Sequence, residues 1–246
     1  MTFAAGLAKG GMRPVLALYS TFSQRVFDQM FHDIAIQGLP VTLCLDRAGI
    51  VEGDGITHQG IFDVAEFSAI PGINIYSPDS YDELERTVRA SVKSGSADVI
   101  RYPKGREREY DRSRFADFKD HCAATVGDGE PRLTAVTYGR LTAALLEAAS
   151  IASEETGESV RVVRLKKIAP LDPDMMVSTL AGADRIYVAD EGINTAASGK
   201  RSQHSPRSAA PAQRSESARS PSPCFTGRCP ISLKSTALPR RLWRKI

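Results

Sequence analysis

The sequence predicts an α/β protein: a parallel sheet flanked by helices, then a shorter second α/β unit and a disordered tail. Three observations carry this. Short apolar runs alternate with helical patterns, as they do where parallel strands are joined by helices. The runs are apolar throughout rather than at every second residue, which fits strands covered on both faces. After residue 199 the composition changes abruptly.

In order along the chain, strands are expected at Val15–Tyr19, Val41–Leu45, Ile73–Tyr76 and Asp98–Arg101. Between the first two, Phe22–Gln37 carries Val26, Phe27, Met30, Phe31 and Ile34 at helical spacing, with Gly38 as the residue after the helix end. Ser77-Pro78 is expected to cap the next helix, whose apolar face is Leu84, Val88 and Val92 and whose end is Gly95. Residues 1–103 thus form a first domain. Residues 104–121 are charged, with little apolar period, and read as a linker. Residues 122–199 repeat the alternation in shorter form. Strands are expected at Leu133–Tyr138, Val160–Leu165 and Arg185–Ala189, and helices near 140–153 and 172–181, the latter capped within Pro170-Leu-Asp-Pro173.

The last 47 residues hold nine Ser, six Pro, eight Arg and one Gly, with no period of useful length. Such a segment cannot bury enough apolar surface to offset chain entropy, so disorder is expected. The change falls in mid-pattern, which suggests an out-of-frame origin. It also explains the charge. Residues 1–199 carry a net charge of −7 and residues 200–246 a net of +10, giving the overall +3. The basic excess therefore lies in the tail and gives no reason to expect nucleic-acid binding by the folded part.

With 42% hydrophobic residues the 246-residue chain has enough apolar material for a core. No run of 18 apolar residues suggests a membrane span, and the N-terminus lacks a secretion-signal pattern. Cys44 and Cys122 stand alone, as suits a reduced cytoplasm. Cys224 and Cys229 lack further ligands at zinc spacing.

Residues 46–60 are the most informative stretch. After an apolar run they gather Asp46, Arg47, Glu52, Asp54, His58 and four glycines into one loop. Glycine admits positive φ and close approach at an entropic cost of about 0.5–1 kcal/mol in regular structure, so a loop this rich in it and in ionisable groups reads as a site. A surface turn is the plainer alternative.

In open parallel sheets, ligands bind beyond the carboxyl ends of the strands. That rule places Tyr19, Arg47 and Arg101 on one rim beside the loop holding Asp54 and His58. Two arginines there suit a phosphate or carboxylate, since guanidinium donates paired charge-assisted hydrogen bonds to either. Arg101 pairing with a strand-end acid is the alternative. Histidine is the side chain whose ordinary titration lies nearest neutrality, so His58 is a candidate proton carrier, oriented by Asp54. Asp54 orienting Arg25 instead is equally open, and Phe22 is either core or a stacking surface.

The segments Tyr19-Ser-Thr-Phe-Ser-Gln-Arg25 and Asp46-Arg-Ala-Gly-Ile-Val-Glu-Gly-Asp-Gly-Ile-Thr-His-Gln-Gly60 resemble the 1-deoxy-D-xylulose-5-phosphate synthase family of the transketolase superfamily. Arg101-Tyr-Pro-Lys-Gly105 and Pro170-Leu-Asp172 fit the same pattern, and the likeness runs over about residues 2–199. The resemblance implies a pyrimidine-binding domain over residues 1–103 and part of a C-terminal transketolase domain over 122–199. It implies a thiamine-diphosphate enzyme of the isoprenoid precursor pathway, joining pyruvate to D-glyceraldehyde 3-phosphate with loss of carbon dioxide, and a homodimeric parent. On it, Phe22 would stack on the aminopyrimidine. Tyr19, Arg47 and Arg101 would hold the triose phosphate, and Arg25, Asp54 and His58 would form the catalytic polar network around pyruvate-derived groups.

In the family pattern Glu-x-His-Ala-Val-Thr-Phe-Ala-Ala-Gly, Met1 stands at the Val position. The Glu that protonates the pyrimidine N1′ is then expected four positions before Met1, outside this sequence. No Gly-Asp-Gly with a downstream Asn marks the family's Mg²⁺ and diphosphate site, and Gly53-Asp54-Gly55 belongs to the histidine loop. The chain alone is therefore expected not to turn over, and to oligomerise through its uncovered apolar face. A subunit of a split enzyme and a non-catalytic phosphometabolite-binding module are the alternatives.

Overall fold

The computed structural model describes residues 1–192 and 232–234. The chain opens with α1 (Thr2–Lys9), β1 (Val15–Tyr19), a continuous helical stretch containing α2 (Phe27–Gln29), and β2 (Thr42–Asp46). There follow α3 (Asp63–Phe67), β3 (Ile73–Tyr76), α4 (Tyr81–Ser94) and β4 (Ala97–Arg101). The second part comprises β5 (Ala116–Asp117), β6 (His121–Val126), β7 (Leu133–Tyr138), α5 (Leu141–Thr156), β8 (Val160–Leu165), β9 (Lys167–Ala169), α6 (Pro173–Leu180), β10 (Arg185–Asp190) and β11 (Ser232–Lys234).

The first sheet runs β1-β2-β4-β3-β9, and its first four strands are parallel. The α/β expectation holds, and all seven expected strands form. Coverage on both faces holds for β2 and β4, whose residues are nearly all buried. It fails for β1, an edge strand with Val15 48% exposed.

The helix expected over 22–37 forms as a 3₁₀ segment (Ser20–Val26), α2, and a π segment (Met30–Ala35). Met30 and Ile34 are fully buried. Phe27 and Phe31, which form the neighbouring i,i+4 ridge, remain exposed instead of joining them. Gly38 follows with φ +62. The cap of α4 also differs from expectation. Ser80, not Ser77, accepts from the Glu83 amide (3.2 Å), while the Glu83 carboxylate accepts from the Asp79 amide (3.0 Å). Ser80 is thus the N-cap, with the Glu83 carboxylate reaching back past it to the preceding residue, and Gly95 closes the helix with φ +76. Asp172 caps α6 as expected, accepting from Asp174 and Met175.

The second sheet runs β11-β10-β7-β8-β6-β5. Only β10, β7 and β8 are parallel; β5, β6 and β11 pair antiparallel. Leu141, Leu145 and Leu146 of α5 pack on Leu133, Val160 and Val162 in one core. A larger core is shared by the two sheets, joining Phe67, Ile75 and Val99 to Val136, Val163 and Leu165. Strand β9 also adds directly to the edge of the first sheet beside β3.

Residues 104–121 are more than a spacer. They contain a 3₁₀ turn (Arg112–Arg114) and β5, and Tyr110 and Phe115 pack against the α5 core. The charges that suggested a linker are tied to α4 and its approach: Glu107 accepts from the Tyr81 amide (2.7 Å), and Arg112 and Tyr110 reach Asp79. Most of the expected disordered tail, with Cys224 and Cys229, lies outside the described residues. Ser232–Lys234 depart from that expectation by pairing with β10. No helix among the described residues is long and apolar enough to cross a membrane.

Candidate functional site

The register of the first sheet sets Tyr19 beside Asp46 and Leu45 beside Arg101. The segments leaving β1, β2 and β4 therefore start from one edge. Beyond it the 46–60 loop closes on itself through Gly49 and Gly60, whose amides and carbonyls exchange two hydrogen bonds of 2.7 and 2.8 Å. Gln59 staples the interior, accepting from the Val51 amide (2.7 Å) and donating to Val51 O (2.9 Å) and Gly55 O (2.7 Å). Gly49, Gly53 and Gly55 all have positive φ, as the glycine content of the loop suggests.

Arg47 has φ +58, and no other non-glycine residue among those described has positive φ. That conformation costs an L-residue about 1–2 kcal/mol. Its amide donates to Asp46 Oδ1 (2.7 Å) and the next amide, Ala48, donates to Tyr102 O (3.0 Å), which fix the turn. The result holds the Arg47 guanidinium 4.2 Å over the Tyr19 ring and against Asp54. Tyr19 stacks on Phe22 (centroids 5.9 Å apart), and Phe22 meets the His58 ring edge-on (5.4 Å). Thr21 donates to Thr57 O (2.9 Å), and the Thr57 hydroxyl is 2.8 Å from His58 Nδ1. Phe22 remains 40% exposed, so its ring is a surface rather than core.

Asp54 serves neither of the partners proposed for it from sequence. Its two oxygens are taken by Arg47 and by Lys104 Nζ (2.6 Å), so no bond joins it to His58 or Arg25. The Lys104 ammonium and the Arg47 guanidinium together outweigh partial desolvation and hold the Asp54 carboxyl below its ordinary 3.8. Because the folded state lowers this value, the tie is present above 3.8 and is lost as pH falls through the lower folded-state value. Amide exchange in residues 47–60 is accordingly expected to speed up as pH drops below 3.8, after correction for intrinsic rates, and Asp54→Asn to remove that dependence. An acid response identical in both proteins would contradict this. Arg25 is exposed and makes no hydrogen bond or ion pair among the described residues.

Arg101 lies on the same edge but does not open to it. Its side chain is 5% exposed, and its Nε donates to Asp63 Oδ2 (2.9 Å). The guanidinium lies 5.1 Å from the Tyr138 ring, in the second part of the chain. Burial opposes its charge, but the Asp63 carboxylate more than offsets this and keeps it protonated. Of the two arginines expected to meet an anion together, only Arg47 faces the open rim.

Lys104 carries no site signal of its own in sequence, since it opens the charged stretch that reads as a linker. Arg140 and Glu191 follow the carboxyl ends of β7 and β10, so the strand-end rule applied to the second sheet points to them. A cavity of about 580 Å³ lies elsewhere, between α4 and β8. Its buried charges are already matched: Arg164 meets Glu83 (2.6 Å) and Asp79 (3.3 Å).

Residues 1–108 match the family description "Transketolase, pyrimidine binding domain", and residues 123–204 match "Transketolase, C-terminal domain". The chain belongs to the transketolase superfamily. Its similarity extends to proteins named 1-deoxy-D-xylulose-5-phosphate synthase. That of Caldanaerobacter subterraneus subsp. tengcongensis is 40% identical over 192 residues, covering 78% of this chain and 30% of the relative. That of Anaeromyxobacter dehalogenans strain 2CP-1 is 38% identical over 195 residues, with the same coverage. The chain thus spans about 30% of the length of these relatives. Two solved transketolase-superfamily structures share the fold. One is titled "Split gene transketolase, inactive beta4 tetramer" (TM-score 0.65, 23% identity, 81% of this chain and 64% of that one). The other is the Campylobacter jejuni transketolase (TM-score 0.62, 18% identity, 77% and 34%).

Proposed function

We propose that residues 1–192 supply the pyrimidine side and the acceptor rim of a thiamine-diphosphate-dependent synthase. That enzyme condenses pyruvate with D-glyceraldehyde 3-phosphate to 1-deoxy-D-xylulose 5-phosphate and carbon dioxide. The carrying observation is the single cluster of Tyr19, Phe22, Arg47, Asp54 and His58 at the strand ends of a transketolase-superfamily chain. Thiamine diphosphate, when bound, supplies the electron sink for decarboxylation.

The exposed Phe22 ring fits an aminopyrimidine face. Arg47 and Lys104 carry one more positive charge than Asp54 neutralises, which suits them to the triose phosphate, with Tyr19 beneath Arg47. His58 has Nδ1 engaged by Thr57, leaving Nε2 to hold or pass a proton. The uncommitted guanidinium of Arg25 suits pyruvate's carboxylate, and Arg101 stands behind the rim as a fixed charge. The residues here that suit the cofactor are those offered to its pyrimidine half, the Phe22 ring foremost. A homodimer in the reduced cytoplasm is part of this reading. It agrees with the exposed Phe3, Met12, Val15 and Ile36 and with the free Cys44 and Cys122.

A second reading, a phosphometabolite-binding module, is favoured by the same Arg47–Asp54–Lys104 group, which needs no cofactor to attract an anion. Calorimetric titration separates the two. Binding of both D-glyceraldehyde 3-phosphate and thiamine diphosphate supports the synthase reading, triose phosphate alone supports the module, and neither contradicts both.

A further inference from the structure

The acceptor loop does not rest on its own sheet alone. Arg140, just beyond β7, donates from Nη2 to the carbonyl of Ile50, the residue after Gly49 of the loop's closing bridge. The same guanidinium grips Glu191, just beyond β10, with Nε at 2.9 and 3.1 Å from the two carboxylate oxygens. The Glu191 side chain is 7% exposed and packs against Gly49 so closely that a Cβ there would stand 2.9 Å from its Cδ. Gly49 also has φ +84. Its lack of a side chain therefore answers two demands, the backbone turn and the seating of the carboxylate.

We infer that Arg140 and Glu191 are positioning residues. They form a strut by which the second α/β unit sets the loop that presents Arg47, Asp54 and His58. The argument is geometric. The pair contacts the loop at its closing bridge, where a small rotation is carried to everything between residues 49 and 60. Gln59 makes that span a stapled body, so it moves as one. The Glu191 carboxylate is buried while the Arg140 side chain stays 31% exposed, and a guanidinium–carboxylate pair joined by two contacts admits little slack. Misplacing binding groups by about 1 Å costs on the order of 100-fold in function, so a strut acting on the whole loop is a sensitive control point. The inference concerns the same rim and rests, for its consequence on ligand binding, on the acceptor-site reading above.

The test uses the full chain with Glu191→Gln, Arg140→Met and Arg140→Lys, following amide exchange by mass spectrometry, melting temperature, and calorimetric affinity for D-glyceraldehyde 3-phosphate. Glu191→Gln and Arg140→Met are expected to speed exchange across residues 47–60 by about tenfold or more while β2 and β4 keep their protection. They are expected to weaken triose-phosphate binding by about tenfold. Arg140→Lys, which keeps a donor for Ile50, is expected to recover part of that affinity. A merely structural pair would change the melting temperature and exchange everywhere, without the graded loss and recovery of affinity. Unchanged exchange over 47–60 in both disruptive variants overturns the strut. Should the unaltered chain fail to bind the triose phosphate, the acceptor reading falls, while the exchange measurement still decides the strut.

Discussion

Asp63→Ala lowers the unfolding free energy by about 3–5 kcal/mol, the usual cost of stripping a buried charge of its partner. Both side chains are out of water, at 5% exposure for Arg101 and 1% for Asp63. The variant leaves a guanidinium between the strand end and Tyr138 with no carboxylate bonded to it. It also removes the acceptor of the Val64 amide (2.8 Å) at the start of α3, adding about 1 kcal/mol. For a chain of this size the melting temperature should fall by roughly 10 °C. The double variant Asp63→Leu/Arg101→Met should recover most of the loss, because apolar replacements of a buried pair are often neutral or stabilising. A loss below about 1 kcal/mol in Asp63→Ala would show that Arg101 finds water or another anion.

Arg47→Gln weakens D-glyceraldehyde 3-phosphate binding by about 100-fold while changing stability little. The loss corresponds to removing a charged partner from a largely desolvated contact, worth about 2–5 kcal/mol. Stability changes little because Asp54 keeps Lys104 (2.6 Å) and the Tyr19 cation–π contact contributes only about 0.5–1 kcal/mol. Glutamine bears the same positive φ, so backbone strain is constant across the comparison. Arg47→Gly, which relieves the strain, should gain about 1 kcal/mol in stability and lose the same affinity. Such a pair of results would identify the strained turn as serving the site. Equal affinities for Arg47→Gln and the unaltered chain would remove Arg47 from it.

The buried strands were legible because each is a run of Val, Leu and Ile that no solvent face interrupts, and the rim followed from them through the strand-end rule. Strands β6 and β9 were not, because their identity depends on partners distant in sequence, and β5 is a two-residue strand formed only by folding back on β6. Lys167–Ala169 has no pattern of its own and becomes a strand by lying beside Ile75 and Tyr76. Two serines compete for the α4 cap, and the sequence signal that favours the second is Ser80-Tyr-Asp-Glu83, whose Glu83 amide bonds the Ser80 hydroxyl. At the site, residue types were readable but pairings were not. The sequence offers His58 and Arg25 as partners for Asp54, and only the folded loop shows that it takes Arg47 and Lys104. Whether Arg101 faced a ligand or an acid turned on Asp63, which stands in an otherwise ordinary helix start.

That the strand ends of the first sheet form one anion-receiving rim is tested most directly by amide chemical shifts of the isotopically labelled chain titrated with D-glyceraldehyde 3-phosphate. Saturable shifts are expected at Tyr19, across residues 47–58 and at Lys104, and are expected to vanish in Arg47→Gln. Shifts gathered instead around Glu83 and Arg164 in the groove beside α4, or none at all, would contradict it.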